Sequence, residues 1–143
     1  MILIVDTNII FAGLLRNSGT RQLLIDSPFT LYAPETILKE IRKYEEEIIR
    51  RAGFTKAEFE ILFNLITDDI RIIEKKHYAP KLKEADKLIG GLDKGDVPFL
   101  ALALSIPNDG IWTENVKHFR QNRVKIWTTK ELTKRISSLS MGL

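Results

Sequence analysis

The amino-acid sequence predicts an α/β protein: three α/β/α layers around a central, mainly parallel sheet. Three observations carry this. Short β-branched runs alternate with longer helical patterns along the chain, the order of βαβ units. The first run, Ile2-Leu3-Ile4-Val5, is apolar throughout, as in a strand buried on both faces. The segment Phe99-Leu100-Ala101-Leu102-Ala103-Leu104 is apolar nearly all round a helix and so must lie in the core.

Each element follows in turn. Asp6 ends the first strand, and Ile9 to Leu15 reads as a helix broken by Arg16-Asn17-Ser18-Gly19. Thr20 to Ile25 resumes helical, Ser27-Pro28 turns, and Phe29 to Ala33 is a second strand. Pro34 suits the first turn of a long helix ending at Gly53, with Ile37, Leu38, Ile41, Ile48 and Ala52 on one arc. Thr55 with Glu58 three residues on forms a capping box, opening a helix whose apolar face is Ile61, Leu62, Leu65 and Ile66. Arg71 to Ile73 is a third strand, Tyr78 to Ile89 is loosely helical, and Gly90-Gly91 closes it. Asp93-Lys94-Gly95-Asp96 is a loop into the helix Val97 to Ser105. Ile111-Trp112 and Val124 to Trp127 are the last strands. A helix starting at Thr128 or Thr129 runs through Ile136.

At 143 residues the chain reads as one domain, 1–143, large enough to bury its own core. No apolar run reaches membrane-crossing length, and the N-terminus lacks the basic region of a secretory signal. With no cysteine, disulfides and thiolate metal sites are excluded, and a cytoplasmic location is the default expectation. The formal charge of +3 permits binding to polyanions without demanding it.

The acidic residues converge once the strands are laid in parallel. In open α/β sheets, sites form beyond the carboxyl ends of the strands. Asp6 ends strand one, although it would also serve as an N-cap. A crossover helix begins at the edge where its following strand ends, so Asp93 and Asp96 join that edge, and Thr113-Glu114-Asn115 follows directly on a strand. Asp96 precedes Val97-Pro98 and also suits an N-cap, yet the core helix behind it is a rigid mount for a ligand. Glu40 falls about two turns into its helix, at the border of the apolar arc. Gathered carboxylates repel one another, and a divalent cation relieves this. Oxygen donors suit Mg²⁺ or Mn²⁺ rather than zinc. His77 and His118 share no ligand spacing and read as surface or boundary residues.

Four segments together carry a resemblance: Ile4-Val5-Asp6-Thr7-Asn8, Glu40 in its helix, Asp96-Val97-Pro98-Phe99-Leu100-Ala101-Leu102-Ala103, and Trp112-Thr113-Glu114-Asn115-Val116-Lys117-His118-Phe119. In order and spacing they resemble the PIN-domain ribonucleases, and most closely the small stand-alone branch that includes VapC-type toxins. The resemblance implies an acidic pocket holding one or two Mg²⁺ or Mn²⁺ ions. Asp6, Glu40 and Asp96 match three acids of that pocket, and Thr113 matches a residue that orients it. Asn115 stands where the fourth acid is usually aspartate; its amide oxygen can coordinate but brings no charge, which Asp93 or Glu114 would restore. The implied activity is metal-dependent endoribonuclease cleavage leaving 5′-phosphates. The implied partners are RNA, an antitoxin protein and a second copy in a homodimer. A non-catalytic PIN-like module that docks RNA or protein is the alternative, favoured by Asn115. A phosphatase of the haloacid-dehalogenase type would want Asp-x-Asp, and position 8 is Asn. Arg16, Arg21, Lys94, Lys117 and Arg120 are the cations placed to meet RNA.

Overall fold

The computed structural model describes residues 1–141. The strands β1 (Ile2–Val5), β2 (Thr30–Pro34), β3 (Ile70–Ile73), β4 (Ile111–Trp112) and β5 (Ile126–Trp127) form one sheet in the order β3-β2-β1-β4-β5. Every pairing is parallel. The expected mainly parallel sheet is therefore parallel throughout the described residues. β1 lies at its centre, and Leu3, Ile4 and Val5 are fully buried, as their unbroken apolar character requires.

The chain builds outward from β1 to β2 and β3, then returns to the other side of β1 for β4 and β5. The strand order thus reverses between β1 and β4, which is where crevices open in sheets of this kind. Helices α1 (Thr7–Leu15), α2 (Gly19–Ile25), α3 (Thr36–Lys43), α4 (Glu45–Ala52) and α5 (Lys56–Thr67) cluster about α1. α6 (Leu82–Ile89) and α7 (Val97–Ser105) pair with each other, and α7 packs on β1, β2 and β4, completing three α/β/α layers. α8 (Thr129–Met141) follows β5. The α7 bounds are those the sequence predicts, and Val97, Phe99, Leu100, Ala101, Leu102 and Ala103 are all buried.

Three expectations are corrected. The long helix from Pro34 is two helices: Pro34 is the last residue of β2, paired with Ile73, and the helical backbone breaks at Tyr44 (φ −106°, ψ 13°). No glycine or proline marks that break. Tyr44 packs edge-on against Phe11, with ring centroids 5.6 Å apart. The buried face of α5 is Phe59, Phe63 and Ile66, whereas Ile61 and Leu65 are 63% and 49% exposed. Its aromatic side chains, with Arg42 stacked over Phe63 at 4.2 Å, set the face that aliphatic spacing misplaces. The segment from Tyr78 is only partly α-helical, with a 3₁₀ turn at Ala79–Lys81 before α6.

Gly110 shows how tightly β4 and β5 meet. Its φ is +138°, and a Cβ there would lie 2.4 Å from the Lys125 carbonyl oxygen and 2.7 Å from Trp127 Cδ1. Gly110→Ala is expected to destabilise the fold by on the order of 3 kcal/mol, from backbone strain and collision together. A urea titration against wild type measures the loss.

Candidate metal centre

The site forms at the switch point between β1 and β4. Asp6 is the N-cap of α1: its Oδ1 accepts the Thr7 backbone N–H at 2.8 Å, which fixes the side chain over the helix N-terminus. The capping role expected from the sequence is therefore met, and the same residue lines the pocket described below. Its Oδ2 accepts from the Thr113 hydroxyl and the Asn8 amide, each at 2.7 Å. Thr113, fully buried one residue beyond β4, also accepts the Asn8 amide at 3.0 Å and the Asn115 backbone N–H at 3.0 Å. The Asn8 carbonyl oxygen in turn accepts the Glu114 N–H at 3.2 Å. Asn8 and Thr113 thus staple the two strand ends and hold the Asp6 carboxylate between them.

Asp96 enters from the other layer. It closes a 3₁₀ turn, Lys94–Asp96, at the mouth of α7 and is buried, 7% exposed. Asp93 shapes that turn by accepting the Gly95 N–H at 2.8 Å. Glu40 reaches in from α3. An open pocket of about 310 Å³ results, lined by Asp6, Glu40, Asp93, Asp96 and Asn115, with Thr7, Asn8, Phe11, Tyr44 and Gly95. Among the described residues no lysine or arginine lines it.

The charge is accordingly offset only from the pocket's edges, by Lys43 acting on Glu40 and His118 on Asp96. Burial is the main cause that pushes the Asp6 carboxyl up to about 7, and the charges of Asp96 and Glu40 add to it, against the Thr113 hydroxyl that favours its anion. Burial also raises Glu40, with Asp93 and Asp96 adding to the effect. The Thr7 hydroxyl, buried without a partner in hydrogen-bond geometry, lies on that side of the pocket and lowers Glu40 in part. Asp96 is raised by burial and then by Asp93, while its bond to His118 opposes this.

The residues fit a divalent cation. Their donors are oxygens, four carboxylates and one amide, the set that suits Mg²⁺ or Mn²⁺. A cation would meet the repulsion that the raised carboxyls express. Ligand atoms of Asp93, Asp96 and His118 also lie within 4.8 Å of one another and could hold a metal ion.

Five of the six residues expected to line the site do so: Asp6, Glu40, Asp93, Asp96 and Asn115. Glu114 does not. Its Oε1 accepts the Thr129 N–H at 2.8 Å, so its carboxylate serves the start of α8. His118 is the boundary residue the sequence predicts, and its Nδ1 lies 2.8 Å from Asp96 Oδ2. No spacing in the sequence pairs residues 96 and 118; the four-residue 3₁₀ turn Val116–Phe119 swings the ring onto Asp96 while Phe119 anchors it in the core. Asn8 is the other residue that sequence reasoning passed over, although it stands in the Asp6-Thr7-Asn8 segment.

Compared with known protein families, the chain matches the PIN domain over residues 4–137. No curated protein matches it. The match spans β1 to α8 and takes in every residue of the acidic pocket, and the parallel sheet in three layers agrees with it. This chain belongs to the PIN-domain family.

Proposed function

We propose that the protein is a metal-dependent endoribonuclease. PIN domains are typically nucleases that use divalent metals. The observation that carries the reading is the meeting of Asp6, Glu40 and Asp96 in one open pocket that no lysine or arginine lines. Mg²⁺ or Mn²⁺, when bound, supplies the positive charge that stabilises the attacking and leaving oxygens of a phosphodiester. Asp6 and Asp96 are its principal holders, with Glu40 and Asn115 completing the set and Asp93 adding charge. The protein's own part is positioning. Thr113 and Asn8 fix Asp6, and His118 fixes one oxygen of Asp96 while the other carries no hydrogen bond among the described residues. Glu40, which lines the pocket from α3, is placed to accept the proton of the attacking water. Water adds to phosphorus, the P–O3′ bond breaks, and the departing O3′ takes up a proton from solvent, leaving a 5′-phosphate and a 3′-hydroxyl.

The same reading makes the chain the toxin of a toxin–antitoxin pair, acting on RNA in the cytoplasm as a homodimer with an antitoxin protein as its partner. The likeness of the Asp96 and Trp112 segments to the stand-alone branch supports this, and the exposed Ile61 and Leu65 offer α5 for an interface. Asn115, a neutral residue in the pocket, favours the alternative of a non-catalytic binding module. Purified protein incubated with single-stranded RNA decides between them. Cleavage to 5′-phosphate products with Mn²⁺ and none with EDTA is expected. Intact RNA across several sequences, with both metals, would shift the assignment to the binding module.

A further inference from the structure

Beside the acidic pocket lies a larger groove, about 580 Å³ in volume. Lys87 and Leu88 of α6, Leu92, and Lys117, His118 and Arg120 of the segment after β4 line it, and no carboxylate does. Lys87, Lys117 and Arg120 form no ion pair among the described residues, and Leu92 is 68% exposed next to them. Of the other cations singled out from sequence, Arg21 donates to the carbonyls of Gly13 and Leu14, Lys94 pairs with Asp86 at 2.7 Å, and Arg16 lies at a different depression, beside Ser18 and Arg51. His118 belongs to both places, lining the groove while bonding to Asp96. Unpaired cations over an apolar floor are the complement of a polyanion that also carries flat apolar groups.

We infer that this groove seats the stretch of single-stranded RNA running on from the acidic pocket, with its phosphates on Lys87, Lys117 and Arg120 and a base against Leu88 and Leu92. The inference rests on the nuclease reading for which strand end reaches it. A strand crossing the acidic pocket meets repulsion there, and the groove supplies attraction within one side chain of it. Exposed cations alone are ordinary; cations without ion-pair partners, sharing one concavity with the exposed Leu92 and the half-buried Leu88 and joined to the site by His118, select a nucleic-acid strand.

Fluorescence anisotropy of a short fluorescein-labelled single-stranded RNA, in EDTA so that the RNA stays whole, tests it. Lys87→Gln, Lys117→Gln and Arg120→Gln combined are expected to weaken binding about tenfold or more and to make the salt dependence shallower by about 2, the share of three phosphate contacts on a single strand. A control that removes three charges elsewhere, Arg50→Gln, Lys56→Gln and Lys125→Gln, is expected to bind nearly as wild type. Equal weakening in both triple variants, or no binding by wild type at low salt, overturns the groove. Cleavage by wild type of the same RNA with Mn²⁺ separates the two readings. Groove-dependent binding without cleavage supports the groove and defeats only the nuclease assignment. Cleavage with groove-independent binding does the reverse.

Discussion

Asp96→Asn is expected to abolish metal-dependent RNA cleavage while leaving the protein folded and, without metal, more stable at neutral pH. The side chain keeps its shape, and the 3₁₀ turn that carries it is closed by backbone bonds and by Asp93, not by Asp96 itself. What is lost is one negative charge in a pocket where burial and Asp93 already raise that carboxyl. Removing it relieves Asp6, whose own elevation owes part to Asp96. A residue that holds the metal should cost more than one that only orients a holder, for which about 10–100-fold is usual. Thr113→Val supplies that comparison, since Thr113 acts on the site through Asp6 and Asn8. Asp96→Asn should therefore fall further in kcat/KM than Thr113→Val, with circular dichroism unchanged in both. Retention of a tenth of wild-type cleavage by Asp96→Asn would place the reacting centre elsewhere.

How much of this could be read from the sequence follows from the kind of signal each feature leaves. β1 and α7 are legible because burial on all sides forbids polar residues, so their apolar runs have one meaning. Asp6, Asp96 and Asn115 are legible because they stand directly at element ends, where parallel topology places them on one edge. Glu40 is harder, being at a helix border, and only its neighbours in the pocket single it out from Glu45, Glu46 and Glu47. Features set by tertiary packing left no local trace. The break at Tyr44 is made by a residue with no turn preference, and Tyr44 packs against Phe11 there. The His118 bond to Asp96 spans 22 positions and depends on a 3₁₀ turn that no spacing encodes. Glu114 looked equal to Asp93 as a source of charge, and only the nearness of Thr129 shows that its carboxylate is spent on α8.

The metal-free protein is expected to lose stability as the pH rises from about 4 to 8, and divalent metal is expected to reverse this. Asp6 has a folded pKa of about 7 against a reference of 3.8, so its contribution is fully present at pH below the reference and is lost as the pH climbs through 7. Glu40 and Asp96 are shifted the same way and act in the same sense. Glu60 and Glu84 are shifted down by Arg42 and Arg123, so their contribution acts in the opposite sense, is complete above the usual carboxylate range and fades at the acid edge of this window. Each pKa unit corresponds to about 1.4 kcal/mol, so Asp6 alone accounts for a loss of a few kcal/mol across the window. Metal ligands must be ionised, which makes cation binding strongest where the empty pocket is least favourable. At a concentration 100-fold above its Kd a cation adds about 2.7 kcal/mol. At on the order of 3 °C per kcal/mol for a chain of this size, that raises Tm by roughly 8 °C. Thermal melts at pH 5, 6, 7 and 8, with EDTA and with Mn²⁺, check both halves. The EDTA series should fall with pH, the gap between the series should widen, and Asp96→Asn should make the first fall less steeply, burial still raising Asp6, while nearly closing the second. Superimposable melts in EDTA and Mn²⁺ at pH 8 would show that the carboxylates relieve their repulsion without a cation, and the pocket would lose its standing as a metal centre.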